Sequence, residues 1–375
     1  MVLFEMLQIV FQAHLEVRKM RLLVKEGDCF NCVATFGGVY ESDDNLQEIA
    51  HFVKNIKDIK DVRSLSACLH EGVQEYDYLI PMVHNDSLLA FVLIGDVYSN
   101  TDMLSYELNF IETLLNVVIV ALENKKLVKE HLQRELFQRD LKLATEIQKM
   151  LMPTHFQKDS SVEVGALYIP NQEISGDYFD FIRLNDHEFM WCIADVSGKG
   201  IAAALIMASL QANIRARVST ERDLIKIVCN LNQILIRNTN GDYFITLFLA
   251  KYNDKNRQIS YINAGHNPPV LWMDGKATQL ATGTTILGAF EDLPFINSEC
   301  LTLQSNSLIF NYTDGLVESA DEDVFISCNQ LIECIKSNQY LPVDELNLNI
   351  LKDIRTSQNA NMDSDDITLF TLKIF

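Results

Sequence analysis

Four short segments in the second half of the chain set aspartates against apolar runs. They are Ser175-Gly176-Asp177-Tyr178-Phe179-Asp180, Ala194-Asp195-Val196-Ser197-Gly198-Lys199-Gly200, Thr313-Asp314-Gly315 and Asp365-Asp366-Ile367-Thr368. The first three follow the runs 164–169, 189–194 and 307–312; the fourth precedes the run 367–372. Short apolar runs bounded by turn residues read as buried strands. Carboxylates at the ends of several such strands are expected to converge at one edge of a sheet. Left unneutralised, they repel and raise one another's pKa. Hard divalent cations, which take oxygen ligands, remove that penalty. The pattern therefore points to a metal site and to metal-assisted chemistry. Gly176, Gly198, Gly200 and Gly315 suit tight turns beside it.

Periodicity outlines the elements that carry these segments. After Pro153 strand signals are short and frequent, at 243–252, 258–263 and 269–273 among others, with helices over 201–218 and 224–237. Strands, a helical pair, more strands and late helices fit an α+β domain better than a βαβ winding. Upstream, Leu108, Ile111, Leu115, Val118 and Leu122 keep a three-four spacing, followed more loosely by Leu132, Leu136, Leu143, Ile147 and Met150. No glycine or proline interrupts from Ser105 to Pro153, so one long helix is expected. Lys125, Lys129 and Arg139 break its seam, which leaves a parallel dimer and a bent exposed linker both open. The first part of the chain reads as a helix over 4–15, strands at 21–25 and 31–36, a helix over 46–56, and a hairpin pairing 78–83 with 88–95. The expected division is 1–124, a helical linker 125–152, and 153–375.

A formal net charge of −20 argues against nucleic-acid or anionic-membrane partners, which require basic surfaces. The eight cysteines are scattered and several lie in apolar runs, which suits free thiols in a reducing compartment. Cys29-Phe30-Asn31-Cys32 has no second ligand pair nearby and reads as strand positions. The start lacks a basic, uninterrupted leader, and the longest strongly apolar stretch, 114–122, is too short to span a bilayer. A cytoplasmic protein is expected.

The four aspartate segments, in order and joined by Asn263-Ala264-Gly265-His266-Asn267-Pro268-Pro269, resemble the SpoIIE-like branch of PPM-type metal-dependent serine/threonine phosphatases. The resemblance covers roughly 153–375. It implies a sandwich of two antiparallel sheets flanked by helices, with two Mn²⁺ or Mg²⁺ ions at one end. By motif, Asp195 corresponds to the bridging carboxylate and the Val196 carbonyl to a ligand of one ion. Asp314 and Asp365 correspond to ligands of the other, and Asp177 to a direct or water-mediated ligand. Asp180 and Asp366 correspond either to ligands or to partners of metal-bound water. Such a site suits phosphate monoesters: paired cations activate water and neutralise the phosphoryl oxygens, with no protein nucleophile. Better-known relatives carry a histidine where this chain has Ser197, so the general acid is unassigned. Lys199, at a helix start, reads as a loop lysine, and the 263–269 segment as a turn that shapes the domain.

The first 124 residues more weakly resemble a GAF sensor domain. That implies an antiparallel sheet backed by helices, with a ligand-binding pocket and a ligand-free dimerising role both open. Together these readings give a phosphatase acting on phosphoserine or phosphothreonine of a small regulatory protein, of the anti-sigma-factor antagonist type. A small-molecule or protein signal at the N-terminal domain would control it through the helix. The alternative is a latent or inactive phosphatase acting as a dimeric sensor or scaffold.

Overall fold

The structure, a computed structural model, describes residues 9–12, 17–27, 29–37, 63–65, 75–84, 87–97, 104–153, 156, 161–171, 174–317, 326–358 and 365–375. The expected helix at 46–56 lies outside them, as do the Asn85-Asp86 turn and most of the 4–15 segment, of which 9–12 are helical. Backbone contacts divide the chain into two compact units, Met1–Glu135 and Leu136–Phe375.

The first unit holds β1 (Val17–Glu26), β2 (Cys29–Phe36), β3 (Arg63–Ser64), β4 (Tyr78–His84) and β5 (Ser87–Val97) in one antiparallel sheet of order β2-β1-β5-β4-β3. Helix α1 (Leu104–Leu151) begins in this unit. Because strand side chains alternate, one face of the sheet presents Met20, Leu22, Ile80, Val92 and Ile94. These pack with Ile111, Leu115, Val118 and Ile119 of α1. The apolar seam read from sequence thus splits. Its first part is spent on this core, whereas Leu132, Leu136, Leu143, Ile147 and Met150 are exposed, joined by Val117, Val120, Leu127 and Val128. On the opposite sheet face Arg21 is 7% exposed, and its Nε has no hydrogen-bond partner among the described residues. Cys29 and Cys32, three apart on β2, fall on opposite faces, which keeps their thiols apart.

The second unit contains two sheets. One runs β13 (Gly283–Thr284), β10 (Gln258–Ala264), β9 (Ile245–Asn253), β8 (Glu188–Val196) and β7 (Tyr178–Arg183), with β14 (Glu299–Thr302) also on β10. The other runs β12 (Lys276–Gln279), β11 (Val270–Met273), β15 (Ser307–Tyr312), β16 (Ile367–Ile374) and β6 (Val162–Ile169). All pairs are antiparallel except β10 with β13, which runs parallel and departs from the expected all-antiparallel sandwich. The sheets face each other: Phe179 and Phe370 rings lie 5.3 Å apart, and Trp191 Nε1 donates to Asn311 Oδ1 at 3.4 Å. Helices α2 (Ile201–Val218) and α3 (Leu224–Thr239) cover the first sheet; α4 (Cys328–Asn338) and α5 (Val343–Gln358) cover the second. Asp223 caps α3 by accepting from Ile225 N, and Ser327 with Gln330 forms a capping box on α4. No helix among the described residues is long and apolar enough to cross a membrane. The seven described cysteines are unpaired.

Candidate metal centre

Asp195 is the penultimate residue of β8, and Asp177 immediately precedes β7, both in the first sheet. Asp314 opens a 3₁₀ turn (Asp314–Leu316) after β15, and Asp365 and Asp366 lead into β16, all in the second. The carboxylates therefore meet where two sheets adjoin, not along one sheet edge as the apolar runs suggested. The run 164–169 belongs to β6, in the other sheet from Asp177, so Asp177 heads a strand instead of ending one.

Gly176 sets the close approach. A Cβ there would stand 2.7 Å from the Val196 carbonyl oxygen and 3.3 Å from Asp195 Oδ1, so both oxygens face the glycine. We expect Gly176→Ala to lower activity at least tenfold, because the obstructing atom is backbone, at a stability cost of about 1–3 kcal/mol. Phosphate release and urea unfolding, measured side by side, check this. Gly315 likewise passes against the Asp366 backbone, bringing the Asp314 turn onto the Asp365 segment.

Asp177 is 2% exposed and accepts through Oδ2 from Thr313 Oγ1 at 3.0 Å and Thr368 Oγ1 at 2.5 Å. Its backbone N–H donates to Ser175 Oγ at 3.0 Å. Gln148, near the end of α1, grips Ser175: Nε2 donates to its carbonyl at 2.6 Å, and Oε1 accepts from its N–H at 3.3 Å. Sequence reasoning missed these supports. Thr313 and Thr368 lay inside the quoted motifs, but nothing in their spacing says that both turn toward Asp177.

Burial, then the charge of Asp195, push Asp177 well above the ordinary carboxylate range. Burial, then Asp314, Asp365 and Asp366, push Asp195 up to about 7, and a hydrogen bond with Asp177 opposes this. Without a cation, both carboxylates are thus driven toward their protonated forms. Lys199 Nζ lies 3.1 Å from Asp365 Oδ1, so the lysine read as a loop residue reaches the acidic cluster. Among the described residues, no three Asp, Glu, His or Cys groups close into an ion-sized cage. The cluster is open, its members acting on one another through space. Its donors are carboxylates and a backbone carbonyl, the set that suits a hard divalent cation.

Three further positions have partners that their sequence did not announce. Asp180, fully buried, is held by Arg215 (Nε to Oδ2 2.7 Å, Nη2 to Oδ1 3.1 Å) and by the Tyr178 hydroxyl at 2.7 Å. It fastens β7 to α2. Asp366 accepts from Asn171 N at 2.7 Å. Ser197 Oγ accepts from Phe244 N at 2.9 Å, and Ser197 N donates to Phe244 O at 2.9 Å, so this residue clips two loops together.

Comparison with known proteins agrees with this architecture. The family model described as Stage II sporulation protein E (SpoIIE) matches residues 185–375. Phosphoserine phosphatase RsbU of Bacillus subtilis (strain 168) is 27% identical over 280 residues, 74% of this chain and 80% of that protein. Phosphoserine phosphatase RsbP of the same organism is 30% identical over 234 residues, covering 61% of this chain and 56% of its own. Among solved structures, the RsbU and RsbW domains of a Mycobacterium tuberculosis protein align with a TM-score of 0.50 at 26% identity, covering 57% of this chain and 60% of that one. The SiaA-PP2C domain of Pseudomonas aeruginosa aligns with a TM-score of 0.57 at 17% identity, over 65% of this chain and 98% of that one, a likeness of fold alone. The family match takes in the strands and turns bearing Asp195, Asp314 and Asp365, while Asp177 lies just ahead of it. On that match the chain belongs to the SpoIIE family.

Proposed function

We propose that this protein is a metal-dependent protein serine/threonine phosphatase. The observation that carries the reading is the convergence on half-buried Asp195 of Asp177, Asp314, Asp365 and Asp366, brought together from two sheets with charges that repel one another. Asp195 would bridge two divalent cations, Mn²⁺ or Mg²⁺, with the Val196 carbonyl on one, Asp314 and Asp365 on the other, and Asp177 direct or through water. The cations supply Lewis acidity and neutralise the phosphoryl charge. The chain's own part is positioning: Thr313 and Thr368 fix Asp177, Gly176 keeps the Val196 carbonyl accessible, and Lys199 tempers Asp365. With RsbU and RsbP both named phosphoserine phosphatases, the proposed substrate is phosphoserine or phosphothreonine on a small regulatory protein of the anti-sigma-factor antagonist type.

Full-length protein with Mn²⁺ is expected to release phosphate from a phosphoserine peptide and to stop when EDTA is added. Turnover indifferent to chelation would overturn the metal reading.

Regulation would reside in the N-terminal region, proposed as a GAF-like domain over 1–124, with 125–152 as linker and 153–375 as the phosphatase. Arg21, buried with its Nε unpartnered among the described residues, marks where an anionic signal would find hydrogen-bond donors. The exposed apolar stripe from Val117 to Met150 favours a homodimer through α1, since a parallel partner would cover it. Gln148 gives the helix its hold on the catalytic unit, through Ser175 toward Asp177.

A further inference from the structure

His266 sits in the turn after β10, 5% exposed, and takes no part in the acidic cluster. Its place is set before any ligand arrives. The backbone N–H donates to Asn263 Oδ1 at 2.8 Å, and Asn263 Nδ2 returns to the His266 carbonyl at 3.0 Å and to Leu280 O at 3.2 Å. Gly265, at φ +68°, passes against Ile286 where no Cβ fits. The ring is therefore held rigidly. Burial pushes its pKa down to about 4, so the imidazole is neutral, with one N–H and one acceptor nitrogen.

Nδ1 lies 2.8 Å from Thr246 Oγ1. Nε2 is sealed from solvent without a well-formed hydrogen bond among the described residues. The Tyr312 carbonyl beside the ring can only accept, and Nδ1 faces Thr246, so the ring's proton is assigned to Nε2. Nδ1 is then the acceptor and the Thr246 hydroxyl the donor. Thr246 is the residue directly opposite Asp195 in the β8–β9 ladder. Opposite residues share a sheet face with Cβ atoms about 5 Å apart, so a threonine hydroxyl there can reach the Asp195 carboxylate. Nevertheless the Thr246 hydroxyl is paired with His266 and not with Asp195.

We propose that His266 is a positioning residue that captures the Thr246 hydroxyl proton and thereby keeps the Asp195 oxygens free for cations. An apolar side chain would fill this space without sealing off a polar nitrogen, which is costly in a core. A histidine in that space, with Nδ1 2.8 Å from Thr246 Oγ1, gives its acceptor a role. Without it, Thr246 would turn to Asp195 and compete with the cation for the same lone pairs. The inference rests on the reading of Asp195 as a metal ligand.

The test is calorimetric Mn²⁺ binding to the full chain. His266→Leu is expected to weaken Mn²⁺ affinity about tenfold, the usual scale for losing support behind a ligand. Thr246→Val, which removes the competing hydroxyl, should bind as tightly as wild type, and the double variant should recover wild-type affinity. His266→Gln, which retains an acceptor, should bind nearly normally. A merely structural histidine would not be rescued by Thr246→Val. Unchanged affinity in His266→Leu, or a loss that Thr246→Val does not relieve, overturns the proposal. Should His266→Leu fail to fold, weaker binding by Thr246→Val alone overturns it equally. Wild type that binds no Mn²⁺ removes the metal reading and this inference together; wild type that binds, with the variants off pattern, removes only this inference.

Discussion

Asp195→Asn is expected to reduce phosphatase turnover at least about a thousandfold, roughly 4 kcal/mol of transition-state stabilisation, while making the cation-free protein more stable. The two effects share one cause. Folding carries Asp195 from an ordinary pKa of about 3.9 to about 7. Between those values the unfolded chain has released its proton and the folded chain still holds it, so stability falls as pH rises through the window. The penalty is absent below pH ~4 and complete above pH ~7, on the order of 4 kcal/mol for a shift of this size. An asparagine carries no such penalty. In chelator at pH 8 the variant should therefore unfold at higher urea than wild type, and near pH 4 the two should coincide. With Mn²⁺ the order should invert, because only wild type gains from binding. Undiminished turnover, or a variant less stable than wild type in chelator at pH 8, would contradict both the site and its electrostatics.

Arg215→Met should destabilise the fold by about 3 kcal/mol, because it leaves Asp180 buried with only uncharged partners, the Tyr178 hydroxyl and the Phe181 N–H. Breaking one side of a buried pair is costly mainly through the charge left behind. Removing both charges together is much milder, so Asp180→Asn with Arg215→Met should regain most of the loss. Equilibrium urea unfolding of the single and double variants provides the measurement. Additive losses would mean that the two side chains act independently, against the geometry of a two-point clamp.

Much of the second unit was legible because its chemistry is local. The expected helices at 201–218 and 224–237 stand at Ile201–Val218 and Leu224–Thr239, and the strand at 258–263 at Gln258–Ala264. Apolar runs and glycine turns mark element ends well. They do not say which strands share a sheet, and hence the aspartates were expected along one edge when β15 and β16 lie opposite β7 and β8. Asp177 and Asp180 look alike in sequence, three residues apart. Only the fold turns one toward Thr313 and the other toward Arg215, thirty-five residues on. Gln148 was hidden for a similar reason, as a polar residue among many on a long helix, and its distinction is the Ser175 backbone it meets. Ser197, conspicuous as a missing histidine, proves occupied with Phe244.

The division of the acidic cluster between two sheets has a consequence for the protein's persistence. On the proposed site neither sheet would hold a complete set of donors, so a cation seated between them would tie together the halves whose mutual repulsion it relieves. Occupancy and cohesion then become one equilibrium: a cation at a hundred times its dissociation constant adds about 2.7 kcal/mol to the folded state. Metal scarcity would remove more than turnover. It would shorten the lifetime of the enzyme itself, so that the pool of phosphatase, and not only its rate, follows the supply of the ion.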